Sequence, residues 1–152
     1  MKKVLIFAAV FLSACNAVNI KPDSMDKSQL VYAYPGGYTM RFAIKQELEE
    51  RGYKITVGND KSIRGTTDAA GGNFELIGNS APPNAKYLVK TMEEKPTFSP
   101  VWCLFNGFWW WKFNVSIADQ KTGEELLAWT GRVCVNSSLR RLNRLMDELE
   151  RK

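Results

Sequence analysis

Residues 108–135 read FWWWKFNVSIADQKTGEELLAWTGRVCV, and the alternation within them decides the architecture. Trp109, Trp111, Phe113, Val115 and Ile117 alternate with Lys112, Asn114 and Ser116, a period of two that puts one continuous apolar face on a strand. Leu127, Trp129, Val133 and Val135 repeat that alternation on the return. Pairing Ile117 with Leu127 and Trp111 with Val133 leaves Lys121-Thr122-Gly123 as the connection, with glycine where a left-handed residue and a bulge are expected. The same register sets Gly131 opposite Phe113, giving that ring room to lie across the strand. The phase assigns Trp109 and Trp111 to the core face. It leaves Phe105, Phe108 and Trp110 on the opposite face or in the approach loop, where they form a candidate interface with a membrane or a partner.

Beyond the hairpin, Leu139, Leu142, Leu145, Met146 and Leu149 are spaced as one face of a helix. Asn136, Ser137 or Ser138 is its expected N-cap. On the N-terminal side, Gln29–Tyr34 is rich in strand formers and stops at Pro35-Gly36-Gly37. Met40, Ala43, Ile44 and Leu48 then mark a helix, with Gly52 where its C-terminal cap belongs. Tyr53–Val57 alternates as a strand with Tyr53, Ile55 and Val57 inward, and 85–92 is another strand. Residues 58–84 are mostly loop, interrupted by the apolar island 74–77. Two helices and a sheet with one strongly apolar face predict an α+β domain, a two-layer sandwich of a mixed or antiparallel sheet with both helices on one face.

The chain starts MKKVLIFAAVFLSAC. Lys2 and Lys3 form a charged start, and residues 4–12 form an apolar run too short to span a bilayer. Leu12-Ser13-Ala14-Cys15 matches the bacterial lipobox, in which the cysteine is lipidated and becomes the first residue after cleavage. Residues 1–14 therefore read as a signal peptide, 15–28 as a lipidated polar tether and 29–152 as a single periplasmic domain. Several acyl chains on Cys15, at about 0.8 kcal/mol per buried methylene, anchor stably where one chain does not. Asn16 after the cysteine resembles the pattern of sorted lipoproteins, which lack an aspartate there, and that resemblance implies the outer membrane, facing the periplasm.

Of three cysteines, lipidation uses Cys15 and leaves Cys103 and Cys134 as an even pair, expected to form a disulfide. The formal net charge of +5 falls to about +3 without Lys2 and Lys3 and demands no nucleic-acid partner. The sequence contains no histidine, the commonest general base and metal ligand. No catalytic residues, cofactor or metal site are expected. Asp119, Glu124 and Glu125 flank an exposed turn, Asp68 and Glu75 belong to no motif, and nucleophile and phosphate-binding motifs are absent. Lys86, Lys90, Lys112 and Arg132 are expected near the solvent face of the sheet, and Arg140, Arg141 and Arg144 on the last helix; both groups read as solvated surface or a patch for anionic head groups.

The order of elements, with Glu50-Arg51-Gly52-Tyr53, the strand Ala85-Lys-Tyr-Leu-Val89, the hairpin Val115–Glu124 and Leu127-Ala-Trp-Thr-Gly131, resembles penicillin-binding-protein activator lipoproteins and the periplasmic domain of the curli-secretion lipoprotein. The resemblance covers roughly residues 29–150. It implies a periplasmic α+β domain without implying functional residues. The expected function is a membrane-anchored, non-enzymatic binding or assembly module of the cell envelope with an unidentified protein partner. The alternatives are a subunit of a secretion, conjugation or transport complex, and a binder of lipids or small hydrophobes using Trp110 and the 58–84 loop.

Overall fold

The hairpin read from residues 108–135 lies inside the sheet, with a strand paired to each of its outer edges. The computed structural model describes residues 16–58 and 80–151. In chain order the elements are β1 (Asn16–Ile20), β2 (Leu30–Ala33), α1 (Tyr38–Glu50), β3 (Lys54–Val57), β4 (Ala85–Glu93), β5 (Thr97–Phe98), β6 (Trp109–Asp119), β7 (Glu125–Cys134) and α2 (Val135–Glu150). The strands form a seven-stranded sheet in the order β1-β7-β6-β4-β2-β3, with β5 paired to β6. β2 runs parallel to β3 and β4, and the remaining pairs are antiparallel. The apolar faces of α1 and α2 share one core with one side of this sheet, giving the expected α+β sandwich with a mixed sheet.

The hairpin register is the one the alternation predicts: Trp111 faces Val133, Phe113 faces Gly131 and Ile117 faces Leu127. Without a Cβ at Gly131, the Phe113 ring lies edge-on to Trp129 at 4.5 Å between centroids. Gly123 adopts φ 72°, as its place in the turn requires. The register shift, however, lies between Ile117 and Ala118. Leu126, next to the shift, is buried with the core.

Three local expectations are corrected. Asn16–Ile20, expected to be the start of a free tether, is edge strand β1 on β7. Its Val18 and Ile20 pack against the core. The following residues are also tied down: Lys21 N–H donates to Leu126 O at 2.9 Å, Asp23 N–H to Leu149 O at 3.0 Å and Asp26 N–H to Tyr87 Oη at 2.8 Å. Two apolar residues between asparagines give too short an alternation to read; β7 and α2 supply the missing context. Second, Asn136, Ser137 and Ser138 lie inside α2, whose N-cap position is Cys134 and carries no side-chain cap. Ser138 is turned into the core, where its hydroxyl accepts Trp111 Nε1–H at 3.0 Å and donates to Val135 O at 2.6 Å. Third, Trp109 is 47% exposed instead of lying in the core. The β6–β7 pairing ends at Trp110–Cys134, so Trp109 lies beyond it and meets Phe98 of β5 instead.

Helix α1 is capped from a distance. Gly37 at its N-cap offers no side chain, and the Glu93 carboxylate accepts the N–H groups of Thr39 (2.9 Å) and Met40 (2.8 Å). The carboxylate also complements the positive end of the helix dipole. Glu93→Ala is expected to cost about 1–2 kcal/mol, as for loss of an N-cap, measured by urea denaturation. At the other end, Gly52 adopts φ 87° and Tyr53 N–H reaches back to Leu48 O at 3.0 Å, closing the helix where the glycine predicts. Arg51, largely buried, pairs with Glu47 on its own helix and donates to Asp147 Oδ1 (2.7 Å) and Asn143 O (3.1 Å) of α2, joining the two helices.

Candidate interaction surface

From Thr97 to Trp111 the chain has no charged residue. Its middle section wraps around one end of the sheet, held at two places. On the sheet face away from the helices, Cys103 is fully buried and disulfide-bonded to Cys134, confirming the expected pair. On the helix side, the Asn106 side-chain oxygen accepts hydrogen bonds from Ser137 Oγ (2.9 Å) and Arg140 (2.5 Å) at the start of α2. Backbone bonds close the loop on itself: Ser99 N–H to Phe108 O at 2.7 Å and Cys103 N–H to Ser99 O at 3.0 Å. Phe105 and Phe108 adopt left-handed φ values of 65° and 60°, a conformation that bulky residues rarely take.

This framework presents large apolar side chains to solvent. Phe105 is 89%, Val101 81% and Trp102 80% exposed, with Phe98, Leu104 and Phe108 around them. Of the three residues proposed from the sequence, Phe105 is the most exposed, Phe108 is partly exposed, and Trp110 is half-buried. Trp110 faces Cys134 across the hairpin, and the loop lies over that end of the sheet. Val101, Trp102 and Leu104 carry no periodic signal in the sequence, because the run 99–107 has no period. Their signal was a charge-free apolar run interrupted by Pro100 and centred on a bridged cysteine.

Three of the sheet lysines have partners. Lys112 pairs with Glu94 at 2.9 Å, Lys86 lies over the Tyr87 ring at 5.4 Å, and Lys90 lies over the Tyr34 ring at 5.4 Å. Arg132 is exposed opposite Lys112. Arg141 and Arg144 line a cleft of about 630 Å³ between β1 and α2, with Val18, Ile20 and Leu145 among its other walls.

The carboxylates have structural roles. Asp119 Oδ1 accepts the N–H groups of Lys121 (2.8 Å) and Thr122 (3.0 Å), and these bonds hold its carboxyl below the usual carboxylate range. Glu124 pairs with Lys21 and Glu125 accepts from Ser116. Asp68, Glu75, Cys15 and the apolar island 74–77 lie outside the described residues. Among the described residues there is no cluster of metal-ligating side chains.

No protein-family model matches the sequence, and no curated protein sequence matches it. Among solved structures, the chain is similar to a leucine-to-methionine variant of the PelC dodecamer from Paraburkholderia phytofirmans, with 10% identity, a TM-score of 0.57, and 89% of this chain and 98% of that one covered. A second PelC dodecamer structure from the same organism matches with 11% identity, a TM-score of 0.55, and coverage of 90% and 97%. At this identity the likeness is one of fold, and it extends over nearly the whole of both chains.

Proposed function

We propose that this chain is a membrane-anchored lipoprotein of the bacterial cell envelope, tethered through Cys15 and acting as a non-enzymatic binding or assembly module. The observation that carries the reading is the loop 101–108, an exposed apolar surface braced by a disulfide and by the start of α2. Contiguous apolar patches of this kind on a soluble surface mark contact with a partner or a membrane. The carboxylates named above are engaged in turns and ion pairs, which favours binding over catalysis.

A second reading makes the chain one subunit of a larger envelope complex. Its support is the fold shared with a protein that forms a dodecamer, together with edge strand β1, whose sequence NAVNI carries no charged residue to block pairing with another strand. Crosslinking in intact cells followed by mass spectrometry tests both readings, with Cys15→Ser as the unlipidated control. Crosslinks to envelope components that disappear in the control are expected. Crosslinks between copies of this chain would favour the second reading, and an unacylated, soluble chain would overturn the anchor.

A further inference from the structure

The position of β1 ties the anchor to the aromatic loop. β1 runs antiparallel to β7 with Asn16 opposite Gly131, so the chain enters the sheet at the end where β7 finishes in Cys134. Gly131 precedes Cys134 by three residues, about 10 Å along a strand. Cys15 is one peptide bond from Asn16, about 3.8 Å between Cα atoms. Because Asn16 is already in the ladder, little slack separates a lipid on Cys15 from the disulfide that holds the loop.

Arginines gather along the stretch that joins β7 to α2. Between Leu126 and Met146 the charged residues are Arg132, Arg140, Arg141 and Arg144, with no acid among them. Arg132 is one residue beyond the Asn16–Gly131 pair and lies opposite Lys112, which Glu94 pairs; Arg140 touches the loop through Asn106; Arg141 and Arg144 line the cleft beside β1, whose wall also includes Glu148. Exposed aromatic side chains fringed by arginine, next to an acyl anchor, match the chemistry of a bilayer interface: rings settle at the depth of the head groups while cations meet lipid phosphates.

We infer that the loop 101–108 lies in the interface of an anionic bilayer, with Trp102 and Phe105 inserted among the head groups and the arginine fringe on lipid phosphates. The anchor thereby fixes the orientation of the domain as well as its location. Interfacial insertion reaches roughly 5–10 Å, comparable to the offset between the anchor and the loop. This inference rests on the proposed lipidation of Cys15, and its occupant is the bilayer, in preference to a second protein, because the acyl chains enter at the same end.

The test uses the full chain as processed in cells, reconstituted into vesicles of phosphatidylethanolamine and phosphatidylglycerol with brominated acyl chains. Trp102 is one of five tryptophans and is more exposed than Trp109, Trp111 or Trp129. Brominated vesicles are expected to quench its share of the emission, and Trp102→Phe to remove the greater part of that quenching. Phe105→Ser should make Trp102 more accessible to aqueous iodide, and both exposed-site variants should retain the wild-type denaturation midpoint. Mass spectrometry of the N-terminus reads lipidation separately. An acylated chain whose Trp102 emission is untouched by bromolipid but quenched by iodide overturns the inference while keeping the anchor. Shielding from both quenchers overturns it in favour of a protein contact. An unacylated chain with Trp102 still quenched by bromolipid keeps the loop contact and removes the anchor; unacylated and unquenched, it overturns both.

Discussion

Trp111→Ala is expected to lower the stability of the domain by about 3–5 kcal/mol, the range for truncating a buried aromatic side chain. Trp111 is 1% exposed and packs at 5.3 Å, centroid to centroid, against Phe113, which in turn meets Trp129. Truncation therefore removes one of three contiguous core rings and leaves a cavity beside Phe113. The substitution also removes the Nε1–H donor that Ser138 accepts inside the core. Because Ser138 sits in the first turn of α2, the loss reaches the sheet and the helix together. Urea denaturation checks the magnitude, and two companions apportion it. Trp111→Phe retains much of the packing and removes the hydrogen bond, for a smaller loss of about 1–2 kcal/mol. Trp110→Ala, one residue away on the other face and half-buried, should leave the fold intact. Equal midpoints for Trp111→Ala and Trp110→Ala would contradict the strand phase.

The double substitution Cys103→Ser and Cys134→Ser is expected to cost a similar amount, about 3–4 kcal/mol from the chain entropy released in the unfolded state. The bridge spans a sequence separation of 31 residues and joins the approach loop to the last residue of β7. Its consequence differs from that of a core cavity. The sheet and helices keep their apolar core, whereas the loop loses its attachment on one side of the sheet. It then depends on the Asn106 bonds and on the short backbone bonds between Ser99, Cys103 and Phe108. Left-handed backbone at Phe105 and Phe108 opposes the folded loop once the bridge is gone. The expected result is a lower denaturation midpoint together with protease cleavage within 99–108 under conditions where β6 and β7 remain protected. Reductant should reproduce both effects in the unmodified protein. Unchanged cleavage in the double variant would show that the loop is held by its other contacts.

Much of this molecule was legible residue by residue. The hairpin register followed from a two-residue period and one glycine-containing turn, because a register slip would have moved Trp111, Phe113 and Val115 from core to solvent. The C-terminal end of α1 followed from Gly52, and the disulfide followed from the parity of the cysteines once Cys15 was assigned to the lipid. These signals are local or combinatorial, and no knowledge of distant neighbours was needed to read them.

Other features had no local signal. Glu93 gives no sign in the sequence that it caps α1, because donors and acceptor meet only when β4 packs beside the helix start. Trp109 and Trp110 share a run and differ in exposure because the β6–β7 pairing ends between them. The candidate surface was partly legible: Phe105 stood out within an aromatic run, whereas Val101 and Trp102 depended on how the bridge to Cys134 turns the loop outward.

The sequence by itself determined the α+β class, the central hairpin and its register, the pairing of Cys103 with Cys134 and the expectation of an anchor at Cys15. Each rests on side-chain periodicity, turn chemistry or residue count along a short stretch. Only the tertiary structure decided that Asn16–Ile20 is a strand and that it enters the sheet beside the aromatic loop. The physical reason is that an edge strand draws its hydrogen bonds and its buried face from β7 and α2, more than a hundred residues away in the chain. That pairing brings one end of the sequence against the other, and it sets Asn16 at the end of the sheet where β7 finishes in the bridged Cys134.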